Sequence, residues 1–219
     1  MKKINIIILI ILSTLISFII IYSTYFGFDR YLNILLYSKY SKKNKYIENY
    51  TKLNEYIPKQ SNIIISLATK YEDLNKIKQC INSILDQTIR INKIYLFLIV
   101  NNDLQNDLQN IPDYLKDIVI IVPTKDYKEN TKIIPMLIKE KESDTIILAL
   151  DNDIIYGKDF IQVMVDEMIK NDNTVLVDSK KTCILFKTSY FDSKIISEKT
   201  FLKNNKIIKY NENYKIYNI

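Results

Sequence analysis

The chain opens on a long apolar stretch. Residues 4–28 (INIIILIILSTLISFIIIYSTYFGF) carry no charge, and about 20 apolar residues are enough to cross a bilayer as a helix. A cleaved signal peptide has an apolar core of only about 7 to 15 residues and ends in an Ala-x-Ala-like site, which this stretch lacks. The pattern therefore predicts a retained signal-anchor over residues 1–28, with a buried core helix as the alternative.

A polar segment, residues 29–61, follows the apolar stretch. It is rich in Tyr, Lys, Asn and Ser and shows only weak helical periodicity, so we interpret it as a stem or linker. Basic residues flank the apolar stretch on both sides, and more of them follow it than precede it. Because lysine and arginine prefer the cytoplasmic side, this count mildly favours a cytoplasmic domain without fixing the orientation.

Beyond residue 62 the pattern changes to short apolar runs separated by segments of helix length. Continuous apolar runs at 63–67, 94–100, 118–122 and 145–150 are typical of strands buried on both faces. Between the first two runs, apolar residues recur every three or four positions, which predicts a helix over 73–87. The alternation predicts an α/β domain over residues 62–192, with a mostly parallel, Rossmann-like sheet and helices on both faces, followed by a tail over 193–219.

Ligands of open parallel sheets bind at the carboxyl ends of the strands. The residues that directly follow the four predicted strands are therefore the first candidates for a site. They are Ala68-Thr69-Lys70, Asn101-Asn102-Asp103, Pro123-Thr124-Lys125-Asp126 and Asp151-Asn152-Asp153.

The amino-acid composition excludes several classes of enzyme and of binding partner. The 219 residues allow one domain and an appendage, and 47% hydrophobic with 26% charged residues predicts a folded core. There is no histidine, which excludes Ser-His-Asp and Cys-His hydrolases and His-ligated zinc. Two cysteines are too few for a disulfide scaffold. The net charge is +6, but the basic residues are dispersed among acidic ones, so we expect no nucleic-acid partner.

The acidic pair after the fourth strand is the sharpest feature of the sequence. Asp151 and Asp153 follow the buried run TIILAL, so two carboxylates arrive together at the rim of the sheet. Mg²⁺ and Mn²⁺ prefer carboxylate oxygen and leave positions open for phosphate, which makes a metal-diphosphate clamp the leading interpretation. The alternative is a solvated turn in which an aspartate caps the helix that starts near Asp159.

A lysine upstream is a second candidate. Lys132 lies in the first turns of a helix predicted to begin near Asn130, where its ammonium group could meet a phosphate. The alternative is that Lys132 is one of the many solvated lysines of this chain.

The order of these segments resembles that of the glycosyltransferase family 2-like GT-A enzymes found in bacteria and large DNA viruses. The likeness covers residues 62–192 and rests on SLAT in the first strand, on KIKQCINSILDQT before INKIYLFLIV, and on the series NTKIIPMLIKEKESDTIILALDNDIIYGKDFI. Family members carry a GPATK-like segment and then a strand that ends in DDDIxY. Here the first motif reads KENTK at 128–132, and the second reads DND at 151–153, with asparagine as the middle residue.

The resemblance implies a GT-A fold in which a DXD motif holds Mn²⁺ or Mg²⁺ against a nucleotide-sugar diphosphate. Asp151 and Asp153 would hold the metal, with Thr69, Asn102, Lys132 and Asp151 on the donor, a UDP-sugar in the leading interpretation. The acceptor, a glycan or a protein, is left open. The N-terminal helix would hold the enzyme on a membrane, for which an ER/Golgi-type and a host-cell membrane are both considered.

Transfer with inversion also needs a carboxylate base for the acceptor hydroxyl, which relatives supply from an acidic pair after the late strand. That pair is not found here. The candidates are Asp192 and, within the tail, Glu198, so the acceptor half is interpreted as shortened. The leading hypothesis is therefore a membrane-anchored, metal-dependent glycosyltransferase. The alternatives are a tethered GT-A-like scaffold or binding protein that has lost transfer, and a phosphohydrolase with Asp151 as nucleophile and Asp153 as acid/base.

Overall fold

The computed structural model of the protein describes residues 2–40, 45–56, 62–100, 111–171, 174–178, 182–190 and 215–218. The chain divides into two compact units, residues 1–42 and residues 43–219.

The first unit contains two helices, α1 (Lys2–Tyr25) and α2 (Phe28–Tyr40). Gly27, with φ +67°, separates them in the left-handed conformation that glycine adopts at least cost. Within α1, the segment Ile6–Tyr25 has a mean hydropathy of 2.8 and is long and apolar enough to cross a membrane. Its side chains are exposed, Leu9 and Phe18 by 68% and 67%.

Four hydroxyl groups of α1 are paired within the helix. Ser13 donates to the carbonyl of Ile10 (2.9 Å) and Ser17 to that of Ser13 (2.9 Å), and Thr14 and Thr24 make equivalent bonds to carbonyls three or four residues earlier. A helix in hydrocarbon must pair every polar group internally. These four residues of α1 therefore suit an apolar surrounding.

The second unit is built on a seven-stranded sheet with the order β3-β2-β1-β4-β6-β5-β7. Strands β1 to β4 are parallel, β6 runs antiparallel to β4 and β5, and β7 is parallel to β5. The strands are β1 (Ile63–Lys70), β2 (Lys93–Ile99), β3 (Ile120–Thr124), β4 (Ile146–Leu150), β5 (Thr174–Val177), β6 (Cys183–Lys187) and β7 (Lys215–Asn218). The sheet is mostly parallel, with β1 and β4 at its centre.

Five α-helices of this unit are described. They are α3 (Lys45–Tyr56), α4 (Lys78–Leu85), α5 (Asp113–Lys116), α6 (Ile134–Lys139) and α7 (Phe160–Lys170). Short 3₁₀ segments lie at Tyr71–Asp73, Lys128–Lys132 and Thr188–Tyr190. The structure confirms the α/β class, a mostly parallel sheet with helices around it.

The core explains why the apolar runs form strands. All five residues of β4 are buried, as are the first five of β1, because each strand has neighbours on both sides and is covered above and below. Burying one such Ile or Leu side chain contributes about 1.5 to 3 kcal/mol. The apolar side of α4, including Ile81 and Ile84, is also fully buried.

The segment interpreted as a stem contains helices. Its second helix, α3, falls within the same compact unit as the sheet. Tyr46 is buried, and the Tyr50 hydroxyl donates to the carbonyl of Ile91 (2.7 Å), between α4 and β2. Tyr46 and Tyr50 therefore attach α3 to the rest of the unit that contains the sheet.

Candidate functional site

The carboxyl end of β4 places Asp151. The backbone N–H of Asp151 donates to the carbonyl of Thr182 (2.9 Å) and to the Tyr156 hydroxyl (2.9 Å). That hydroxyl in turn lies 3.1 Å from the carbonyls of Thr182 and Asp151, to either of which it can donate its single proton. The backbone of Asp151 is therefore held from two directions while its carboxylate stays directed to the rim.

Ser83 of α4 and Gln87, just beyond that helix, hold the loop that follows β4. The backbone N–H of Tyr156 donates to Ser83 Oγ (3.1 Å), and Gln87 Nε2 donates to the carbonyl of Gly157 (2.6 Å). Gln87 Oε1 accepts from the backbone N–H of Ile161 (3.0 Å), at the start of α7. Both polar side chains are buried, Ser83 completely and Gln87 to within 4%. They satisfy loop groups that would otherwise be buried without partners.

Asn152 ties the acidic loop to β1. Its Nδ2 donates to the carbonyl of Ala68 at 2.6 Å. Only a side chain with an N–H or O–H can make this bond, so an ionised aspartate in this place could not. Asparagine between the two aspartates thus fixes the loop and removes one negative charge from it.

Lys132 forms an ion pair with Asp151. Its Nζ contacts Asp151 Oδ1, and the side chains of Lys132 and Asp151 are 12% and 41% exposed. Ser66 Oγ, in the middle of β1, donates to the carbonyl of Lys132 and positions this residue against the sheet. Two of the residues singled out in the sequence, 19 positions apart, therefore meet.

The Lys128–Lys132 segment is shaped by two polar side chains. The backbone N–H of Lys128 donates to Asp126 Oδ1 (2.6 Å), and that of Tyr127 to Thr131 Oγ1 (2.9 Å). Thr131, buried to within 1%, donates to the carbonyl of Lys128 (2.8 Å). Lys128 itself has φ 57° and is the one non-glycine residue with positive φ among those the structure describes.

These elements enclose an open cavity of about 300 Å³. One side carries Lys128, Glu129 and Lys132, and the carboxyl end of β4 supplies Asp151 and Asp153. The lining is completed by Ala68, Leu150 and Asn152. The cavity thus has two lysines and Glu129 on one side and two aspartates on the other. Lysines suit the phosphates of a ligand, and carboxylates suit a divalent cation.

The residues predicted for the site have different positions. Asp151, Asp153 and Lys132 line the cavity together. Thr69 is only 3% exposed, its hydroxyl lies 3.3 Å from the carbonyl of Lys70, and it does not line the cavity.

The other predicted site residues cannot be compared with the structure in this way. Asn102, Asp192 and Glu198 lie outside the described residues. Lys128 and Glu129 line the cavity but were not among the predicted site residues.

The carboxylates of the cavity suit a divalent metal that is also held by a bound ligand. No group of three or more Asp, Glu, Cys or His side chains able to hold a metal occurs among the residues described. The protein offers Asp151 and Asp153, and Asp153 is exposed, with no hydrogen-bond or ion-pair partner in the described ranges. Mg²⁺ is commonly held by one or two carboxylates together with phosphates and water. Two carboxylates therefore fit such an ion only in company with a phosphate ligand.

Neutral groups surround the acidic pair on its buried side. Burial raises the pKa of the Cys80 thiol, and the negative charges of Asp153 and Asp151 raise it further. Burial likewise raises the pKa values of the Cys183 thiol and of the Tyr156 phenol. These groups stay protonated near neutral pH, which excludes a thiolate nucleophile or a phenolate base from Cys80, Cys183 and Tyr156.

Comparison with known proteins gives distant likenesses. No family model and no curated protein matches the chain. Among solved structures, Rv0371C of Mycobacterium tuberculosis H37Rv in complex with manganese shares 8% identity at a TM-score of 0.45, covering 73% of this chain and 89% of its own. A protein of Desulfovibrio desulfuricans G20, assigned as a nucleotide-diphospho-sugar transferase, shares 10% at 0.40, covering 73% and 80%.

The glycosyltransferase GlyE of Streptococcus pneumoniae TIGR4 shares 14% identity at a TM-score of 0.44, covering 72% of this chain and 45% of its own. These likenesses are too distant to place the chain in a family.

Proposed function

We propose that the protein is a membrane-anchored glycosyltransferase of the GT-A type that takes a sugar from a nucleotide-sugar donor, with a UDP-sugar as the leading candidate. One observation carries the proposal. Asp151, Asp153 and Lys132, which come from two separate segments of the chain, surround a single cavity at the carboxyl ends of β1 and β4. Ligands of parallel sheets bind at this edge.

Each residue has a role that follows from its position. The carboxylates of Asp151 and Asp153 would hold Mn²⁺ or Mg²⁺, which when bound neutralises charge on the diphosphate leaving group. Lys132 places a second positive charge at the same point, and its low exposure strengthens that charge's effect on a bound phosphate. Tyr156, Ser83 and Gln87 hold the backbone of the acidic loop, so that it is already in position when the donor binds.

The acceptor side has two candidate bases, Asp192 and Glu198, and Thr69 and Asn102 remain candidates for contacts with the donor. A glycan or a protein hydroxyl is the proposed acceptor. Helix α1 is the proposed anchor, because its exposed apolar side chains and internally bonded hydroxyls suit lipid.

A second candidate is a protein of the same fold that binds the nucleotide-sugar without transferring the sugar. The observation in its favour is in the sequence. Two acidic residues follow Asp192, namely Glu198 and Glu212, and they are isolated rather than paired. Turnover distinguishes this candidate from the first, whereas donor binding is common to both.

The experiment is calorimetric titration of the full chain in detergent micelles with UDP, GDP and CDP, each with and without Mn²⁺. We expect one nucleotide to bind only with the metal, and Asp153→Ala to weaken that binding at least tenfold. Asp144→Ala is the matched control, because Asp144 is an exposed aspartate at the opposite end of β4. Far-ultraviolet circular dichroism checks that each variant is folded.

If the nucleotide binds in a metal-dependent way, the chain is then incubated with the matching nucleotide-sugar and the metal. Release of free sugar, or its transfer to an acceptor mixture, supports the enzyme, and binding without turnover supports the second candidate. A folded wild-type chain that binds none of the three nucleotides contradicts both. Equal binding by wild type and Asp153→Ala would show that the acidic pair is not the metal site.

A further inference from the structure

The backbone of Lys128 is in an unusual state. Its φ of 57° lies in the left-handed region, where a side chain crowds the following carbonyl and which glycine or asparagine enters at lower cost than lysine. Strained residues of this kind persist where the surrounding structure enforces them, and they concentrate at functional sites.

The turn uses the backbone of Lys128 and not its side chain. The N–H of Lys128 donates to Asp126 Oδ1 (2.6 Å), and its carbonyl accepts from Thr131 Oγ1 (2.8 Å). Glycine would make both bonds with less strain. The folding of this turn therefore gives no reason for a lysine in this place.

The side chain of Lys128 lines the cavity. It is exposed and has no hydrogen-bond or ion-pair partner among the residues described. Lys132, the other lysine of the cavity, is mostly buried and already paired with Asp151. Among the described residues that line the cavity, Lys128 is therefore the lysine whose positive charge is still available to an incoming anion.

We propose that Lys128 is a binding residue for the diphosphate of the ligand and that this contact is the reason for a lysine at a strained position. This inference rests on the proposed function and adds a residue to its donor site. A diphosphate carries more negative charge than a metal already shared with two carboxylates and a lysine already paired with one of them can neutralise. Lys128, one turn before Lys132 on the same segment, supplies the remainder.

The test is titration of the full chain in detergent micelles with inorganic pyrophosphate and, separately, with UDP, both in Mg²⁺. In Lys128→Gly the affinity for both anions should fall about three- to tenfold. In the absence of ligand, the midpoint of thermal unfolding should rise by about 1 to 3 °C, because the strain is relieved. Lys128→Asn should behave in the same way, since asparagine also tolerates this conformation.

Two further variants complete the comparison. Lys128→Arg keeps the charge and the strain, so both affinity and unfolding midpoint should stay near the wild-type values. Lys93→Gln removes a charge from the exposed lysine at the amino end of β2, on the opposite edge of the sheet, and should change neither.

Each result decides something. If the wild-type chain binds both anions and Lys128→Gly binds them equally well, the role of Lys128 is wrong while the proposed function stands. The same holds if only UDP binding falls, because the lysine would then contact the nucleoside. If affinity and unfolding midpoint fall together in both the glycine and the asparagine variants, Lys128 is structural. A wild-type chain that binds neither anion overturns the proposed function and this inference with it.

Discussion

Lys132 and Asp151 act on each other as well as on any ligand. The ammonium of Lys132 lies against one oxygen of Asp151, in a site where Lys132 is only 12% exposed. Opposite charges in such a partly buried place attract each other more strongly than on the surface. The pair therefore keeps one of the two aspartates partly neutralised when no metal is present.

Lys132→Met tests this view because it removes the charge and keeps most of the side-chain volume. We expect the affinity for the metal-nucleotide complex to fall about tenfold, since a charge-assisted contact to phosphate is lost. Affinity for Mn²⁺ alone should rise, because Asp151 no longer has a competing cation. Calorimetry with Mn²⁺ alone and with Mn²⁺ and UDP measures both. Lys93→Met is the control, and a parallel loss of both affinities would contradict the competition.

Asn152 offers a second test. Asn152→Asp restores the acid usual in the resembled family but places a carboxylate oxygen against the carbonyl of Ala68. We expect a loss of about 1 to 3 kcal/mol in the free energy of unfolding at pH 7.

The loss should depend on pH. A protonated carboxyl group can donate to Ala68, so the pKa of the new side chain is raised in the folded state and the difference from wild type shrinks as pH falls toward about 4. Urea unfolding at several pH values between 7 and 4 measures it. A difference that stays constant over this range would show that the contact with Ala68 does not determine the stability of the variant.

Helix α4 has a second role besides filling the core. Its apolar side packs into the domain, and its buried Ser83, with Gln87 just beyond its last turn, bonds the loop between β4 and α7 at two points. The position of the acidic pair therefore depends on a helix that contributes no charge to the cavity.

Gln87→Glu should disturb this connection. The variant replaces an amide that donates to the carbonyls of Ser83 and Gly157 with a carboxylate, in a place that is only 4% exposed. We expect a loss of about 2 to 4 kcal/mol in the free energy of unfolding and weaker metal-nucleotide binding. Gln79→Glu is the control, because Gln79 is a half-exposed residue of α4 with no hydrogen-bond partner among the described residues, and it should stay within about 0.5 kcal/mol of wild type by the same chemical denaturation. Equal effects at both positions would contradict the role of Gln87.

Some strands and helices could be predicted from the sequence, and others could not. Continuous apolar runs predicted β1 to β4, because strands buried on both faces leave that pattern. The run predicted as 118–122 lies at Ile120–Thr124, and the helix predicted over 73–87 is a 3₁₀ turn followed by α4. The antiparallel pairing of β6 with β4 and β5 depends on contacts distant in sequence, which local periodicity does not encode.

Three residues that line the cavity were singled out from the sequence, and their roles stay predictions. Asp151 and Asp153 were singled out because they directly follow the strand that ends at Leu150, and Lys132 because it lies close to a predicted helix start. Lys128 was not, because its direction depends on a backbone conformation set by Asp126 and Thr131. A lysine where the resembled family has glycine was the available signal. Thr69 was expected to follow β1 directly. The strand instead continues to Lys70, and the side chain of Thr69 is buried.

The whole chain combines a folded α/β unit with a helix of different character. The exposed side chains of α1 include Ile, Leu and Phe along its length. An exposed apolar surface of this size is not stable in water and marks a membrane or a protein contact. We propose the membrane, because α1 has the length and internal hydrogen bonding that a bilayer requires.

Alkaline carbonate extraction of membranes from expressing cells tests the anchor. We expect the full chain to stay in the pellet. The double variant Leu12→Lys/Ile16→Lys should move to the supernatant, since each lysine near the centre of a membrane helix costs about 2.5 to 3.5 kcal/mol. Leu12→Val/Ile16→Val keeps the helix apolar and should remain in the pellet. A wild-type chain that is released completely would show that α1 does not span.

The ion pair of Lys132 with Asp151 has a consequence for how the protein behaves during purification. Because an internal cation already compensates one of the two neighbouring carboxylates, the acidic loop does not need an external ion to remain folded. Chelating agents should then leave the thermal stability of the protein unchanged while they abolish nucleotide binding. The metal would accordingly arrive with each donor molecule and depart with each released nucleotide, as a part of the substrate rather than of the purified protein.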